Sequence, residues 1–201
     1  MTKKIMFNDK FGLTKAVLNG TKTMTRRNIK YVFSNDRYVD CENHIFYFKD
    51  EVGEYPIKPK YNIGEKVAIA QKYSSLNLAG LRYDSDNKQV GTHFELKQVA
   101  GWNNKMFVRA DLMPHLIEIT GIRVERLQDI SPDDCIKEGI EDIAMEGDDH
   151  IEYGFMDKKK GYYLTYHKVK EAYQHLIDKI SGKGTWEQNP YVFVYEFKLV
   201  K

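Results

Sequence analysis

Residues 191–200, YVFVYEFKLV, alternate so strictly that Tyr191, Phe193, Tyr195, Phe197 and Leu199 must share one face of an extended strand. Strands of this kind recur along the chain. KTMTRRNI (22–29) reads as a strand, and VAIAQ (67–71) as a short strand of the fully buried type. LIEITGIRVERL (116–127) carries Gly121 at an expected bulge or bend. Helical pattern is sparse by comparison and never alternates with the strands in a βαβ rhythm. That order predicts an α+β chain built on a mostly antiparallel sheet or small barrel.

Three helices are expected. Residues 11–19 place Leu13, Ala16 and Val17 on one face, with Gly20 as the stop. SPDDCIKEG (131–139) has Ser131 to cap, Pro132 at the first helical position, acids in the first turn and Gly139 at the end. Residues 166–180 set Val169, Ala172, Tyr173, Leu176, Ile177 and Ile180 at helical spacing before Gly182. Residues 31–62, rich in aromatics, and 72–104, rich in glycine, read as insertions into a single domain of residues 1–201. The acidic stretch 141–163 reads as a loop.

With 42% hydrophobic and 30% charged residues, a chain of 201 residues has the balance of a soluble globular domain. No apolar run reaches the roughly 20 residues of a spanning helix and no secretory signal is visible. Cys41 and Cys135 fit no metal spacing, so a reducing, cytoplasmic setting is expected. The net charge of +2 conceals an uneven distribution. Residues 1–30 hold eight Lys and Arg against Asp9 alone, whereas residues 125–157 hold twelve acids against Arg126 and Lys137. The basic segment is either a solvated face or a surface for an anionic partner.

The chain lacks GxGxxG, a P-loop, HExxH and paired CxxC, so no metal or cofactor is expected. The informative stretch is GTKTMTRR (20–27). After a glycine that permits a sharp turn, Lys22, Arg26 and Arg27 offer phosphate contacts and Thr21, Thr23 and Thr25 offer hydroxyls. The plainer alternative is a threonine-rich edge strand with solvated basic side chains.

Together with GEKVAIAQ (64–71), LQDISPDDCIKEGI (127–140) and GTWEQNPYVFVYEF (184–197), this stretch resembles the ASCH superfamily. The resemblance extends from residue 11 to residue 199 and implies a PUA-like β-barrel with flanking helices, of a kind that binds RNA. One bacterial branch removes the acetyl group of N4-acetylcytidine with a lysine, a threonine and a glutamate. On that resemblance the lysine falls on Lys22, the threonine on Thr25 and the glutamate on Glu138. That enzyme is about half as long, so the insertions are additions to its frame.

A threonine hydroxyl needs a nearby base, and Lys22 can serve only where burial lowers its pKa. Glu138 would hold the lysine or protonate the leaving amine. Residues 22 and 25 of a regular strand point to opposite faces, so convergence requires a bulge or a Lys22 still in the turn after Gly20. Trp102 with Lys105 beside it could form a stacking platform, and Gln71 could separately present its amide to a base edge; packing and sheet hydrogen bonds are the alternatives. Trp186 is expected to pack the end of the last strand. Three functions remain open: binding of RNA or a modified nucleoside through Arg26, Arg27 and Lys22, an amidohydrolase on N4-acylated cytidine, or a protein-interaction scaffold with a filled pocket.

Overall fold

The computed structural model describes residues 2–29, 38–42, 45–49, 53–76, 99–144 and 151–200. Five strands form the main sheet: β1 (Lys4–Ile5), β2 (Met24–Asn28), β6 (Lys66–Ile69), β7 (Leu116–Arg126) and β11 (Tyr191–Val200). Their order is β1-β6-β7-β11-β2, antiparallel except for the β1–β6 pair. The alternating terminal strand lies between β7 and β2 and is covered on both faces: Val192 and Val194 are buried on one, Phe193, Tyr195 and Phe197 on the other. Opposite Glu196 and Phe197 the register skips Thr120, which places the expected bulge beside Gly121.

The predicted helices form as α1 (Leu13–Leu18), α2 (Pro132–Lys137) and α3 (Val169–Ser181), with a short α4 at Thr185–Gln188. Ser131 Oγ accepts from Asp134 N, capping α2. Helix α3 buries Ala172, Tyr173, Leu176 and Ile177, in the cluster that holds Ile69 of β6, Ile117 of β7 and Val194 of β11. Trp186 packs edge-on against Tyr173, with ring centroids 6.2 Å apart.

The described residues of 141–163 are not a loop. They hold β8 (Glu141–Ala144), β9 (Ile151–Asp157) and the start of β10 (Tyr162–Tyr166), an antiparallel sheet ordered β10-β9-β8. Acidic residues hid a strand whose Gly154, Phe155 and Asp157 are buried. The 31–62 insertion carries a second small sheet, β3 (Tyr38–Glu42), β4 (Ile45–Lys49) and β5 (Glu54–Ile57). Most of the 72–104 insertion, residues 77–98, lies outside the described residues.

The described strands do not close into the expected barrel. β1 and β2 are the two edges of the main sheet and share no ladder. β1 has only two residues, too few to carry a seam. Instead the Arg27 Nη2 of β2 donates to Met6 O, just beyond β1, at 2.7 Å. A side chain spans the gap where a ladder would run, and behind it lies a cavity.

Candidate functional site

The cavity has a volume of about 850 Å³. Lys22, Thr25 and Glu138 all line it. Gly20, at φ 78°, ends α1 in the left-handed region, and both Thr21 N and Lys22 N donate to Ala16 O at 3.0 Å. Lys22 therefore remains in the turn before β2, and the opposite-face conflict with Thr25 disappears. Thr23 ties the turn down: its N donates to Lys137 O at 3.0 Å, and its O accepts from Phe197 N at 2.9 Å.

Glu138 closes α2 as its C-terminal cap. Gly139 next to it has φ 101°, and any Cβ there would stand 3.0 Å from Leu13 Cδ2. Lys22 Nζ donates to Glu138 Oε2 and to the Glu138 carbonyl, each at 2.6 Å. The carbonyl is one of those a helix end leaves without an intrahelical partner, and the negative end of the helix suits a cation. The Lys22 side chain is 1% exposed. Burial lowers its pKa below the ordinary lysine value of 10.5, and Glu138 offsets only part of that shift.

Arg26 sits behind this pair rather than on the surface, its side chain 1% exposed. Its Nη1 reaches Glu138 Oε1 at 3.2 Å and its Nη2 reaches Asp134 Oδ2 at 2.9 Å. Nε and Nη2 both donate to Glu125 Oε1, at 2.9 and 2.6 Å. Burial alone would lower the guanidinium pKa, but the carboxylates, Glu138 foremost, raise it overall. Arg123 extends the chain of charges by pairing with Asp134, Glu125 and Glu196. The sequence Arg123–Asp134–Arg26–Glu138–Lys22 is a line of alternating charges that fixes the orientation of the Glu138 carboxylate. Cys135 is buried beside it, its thiol pushed up to about 12 by burial.

The aromatic walls are Phe7, Tyr61, Phe193 and Tyr195. Tyr61 and Tyr195 meet edge to face at 5.3 Å. Burial raises the Tyr61 hydroxyl to about 12. Tyr173, Leu176 and Ile177 of α3 line the cavity as well. The Tyr173 hydroxyl is buried with no hydrogen-bond partner among the described residues. Sequence reasoning placed Tyr173 and Tyr195 on inward faces but assigned them only to packing, and it passed over Tyr61 inside EYPIKPKY.

Other expected contacts lie elsewhere. Gln71 Oε1 meets His115 Nδ1 at 2.7 Å, and Trp102 packs beside Tyr73, Val108 and Met113 in a separate cluster. Lys105 pairs with Asp9 at 2.8 Å and also donates to Phe7 O and to Thr14 Oγ1. None of the three lines the cavity. Arg27 does. Among the described residues the space between these sheet edges is a cavity rather than packed side chains. No described helix is long and apolar enough to cross a membrane. Compared with known protein families, with curated proteins and with solved structures, the chain finds no match.

Proposed function

We propose that this cavity is the catalytic site of an amidohydrolase acting on an N4-acylated cytidine, on an ASCH-like, PUA-related frame left open at one seam. The carrying observation is the buried Lys22–Glu138 pair, at 2.6 Å, lining one cavity with Thr25. A space of about 850 Å³ is in the range that takes a small-molecule substrate. Aromatic walls suit a nucleobase.

The chemistry balances with these three residues and one water. Neutral Lys22 Nζ takes the proton of the Thr25 hydroxyl as its oxygen bonds to the acyl carbon. The bond from that carbon to N4 breaks, and N4 receives a proton from the Lys22 ammonium. Water then gives a proton to Lys22 and attacks the acyl-threonine ester, and the Thr25 oxygen regains its hydrogen. Cytidine and a carboxylic acid leave. Glu138 holds Lys22 in place, and Arg26, itself paired to Glu125 and Asp134, holds the Glu138 carboxylate.

Binding without chemistry is the second reading, favoured by the Lys22 ammonium being held by two oxygens of Glu138. In that reading Arg26 is no phosphate ligand, since its donors are engaged by Glu125, Asp134 and Glu138.

Chromatography of cytidine released from N4-acetylcytidine tests the proposal. The wild type is expected to release cytidine, with kcat/KM rising with pH as Lys22 loses its proton. The inflection should fall below 10.5, because burial lowers that pKa. A wild type inert toward acylated cytidines leaves the binding reading.

A further inference from the structure

The rim of the cavity is built by cations from two distant parts of the chain. Arg27 stands on β2, and Lys58 and Lys60 follow β5 in the 31–62 insertion; all three line the cavity with Lys4 of β1. Among the described residues none of the four is within ion-pair distance of a carboxylate. Lys4 Nζ holds the carbonyls of Met106 and Val108, Arg27 holds Met6 O, and Lys60 Nζ lies 5.4 Å over the Tyr61 ring. Lys58 is exposed.

This rim is held in place. Lys60 N donates to the Tyr195 hydroxyl at 2.8 Å, Lys3 Nζ donates to Lys60 O at 2.8 Å, and the Tyr61 hydroxyl donates to Lys4 O at 3.0 Å. The like charges also sense one another: Lys4 lies below its ordinary pKa, first through burial and then through the Lys60 ammonium. A group of cations with no carboxylate paired to it among the described residues costs self-repulsion unless an anion joins it. Among the described residues the single acid lining the cavity, Glu138, is buried and already paired to Lys22 and Arg26. Depth and rim thus differ in character, the first suited to an uncharged polar group and the second to an anion.

We infer that Arg27, Lys58, Lys60 and Lys4 form a phosphate subsite, so that the cavity takes a phosphorylated nucleotide, free or at the end of an RNA strand, more tightly than a bare nucleoside. The inference rests on the nucleoside reading above for the base, and on the insertion for the phosphate. It gives the insertion a role: β5 delivers two lysines over the mouth of a pocket that the rest of the chain has already shaped.

Calorimetric titration of the wild type with matched pairs, each nucleoside beside its 5′-monophosphate for cytosine, uracil, adenine and guanine, tests this. The monophosphate of cytidine is expected to bind about tenfold tighter than cytidine at low salt, and the ratio should fall toward one at high salt. The ratio should also fall toward one in the Lys58→Ala/Lys60→Ala double variant, whose two sites are exposed and whose fold a circular dichroism melt checks. Equal binding within every pair overturns the inference, as does a ratio untouched by the double variant. Absence of binding by any of them at millimolar concentration overturns it too. A phosphate advantage shared equally by all four bases would keep the subsite and reject the cytidine reading. A cytidine preference without a phosphate advantage would do the reverse. A short single-stranded RNA binding tighter than the monophosphate identifies the strand as the source of the phosphate; equal affinity identifies the mononucleotide.

Discussion

Replacing Lys22 by Met will cut turnover by about three orders of magnitude, the scale of a lost general base, while stability stays within about 1–2 kcal/mol of wild type. Met keeps much of the volume and removes a charge that burial penalises. Glu138 loses its pair with Lys22 but keeps Arg26 at 3.2 Å, so its carboxylate is not left alone. The variant should also lose a pH dependence. Below the lowered Lys22 pKa both folded and unfolded chains carry the proton. Between that pKa and 10.5 only the unfolded chain does, so wild-type stability rises with pH across the window. Urea midpoints measured across alkaline pH should rise less steeply in Lys22→Met. Retained turnover would remove Lys22 as the base.

Glu138→Ala, in contrast, should cost about 3–5 kcal/mol, the scale expected when one partner of a buried ion pair is deleted. Two buried cations then lose a shared carboxylate: Lys22 at 2.6 Å and Arg26 at 3.2 Å. Lys22 would retain the backbone carbonyl of residue 138, which is a weaker acceptor for an ammonium than a carboxylate. Glu138→Gln, which preserves shape and one acceptor, should lose less. Equilibrium urea denaturation of the three proteins provides the comparison. A loss below 1 kcal/mol in Glu138→Ala would mean that solvent reaches the pair freely.

The two charge-biased segments of the sequence turn out to be partners. Lys22 and Arg26 of the basic N-terminal run pair with Glu125, Asp134 and Glu138 of the acidic run, so part of the imbalance that suggested an external anion is settled inside the fold. Sequence pattern revealed the elements with strong period: α3 with its apolar stripe, β11 with its alternation, and α2 with its Ser131 and Pro132 start. It failed on β8 to β10, where acids outweighed the alternation.

Barrel closure also could not be read from periodicity, because it depends on whether β1 and β2 meet, and an edge pairing leaves no mark in either strand. For the candidate site, Lys22, Thr25 and Glu138 were named through the family resemblance, carried by the run after Gly20 and the end of the Ser131-capped helix, and not through periodicity. Arg26 was legible as a cation but not as a buried one; burial depends on the acids of β7 and α2 reaching it from about a hundred positions away. Tyr61, Lys58 and Lys60 reach the cavity only because β5 brings the insertion back over it.

Thr25 is where structure and chemistry meet most directly. Thr25 lines the same cavity as Lys22, a lysine whose pKa burial lowers. Valine has nearly the same shape and no oxygen. Release of cytidine from N4-acetylcytidine, followed side by side for wild type and Thr25→Val with melting curves to confirm folding, is therefore decisive. The account predicts steady release by the wild type and none above background by the variant. Undiminished release by Thr25→Val, or a folded wild type that releases nothing, would contradict it.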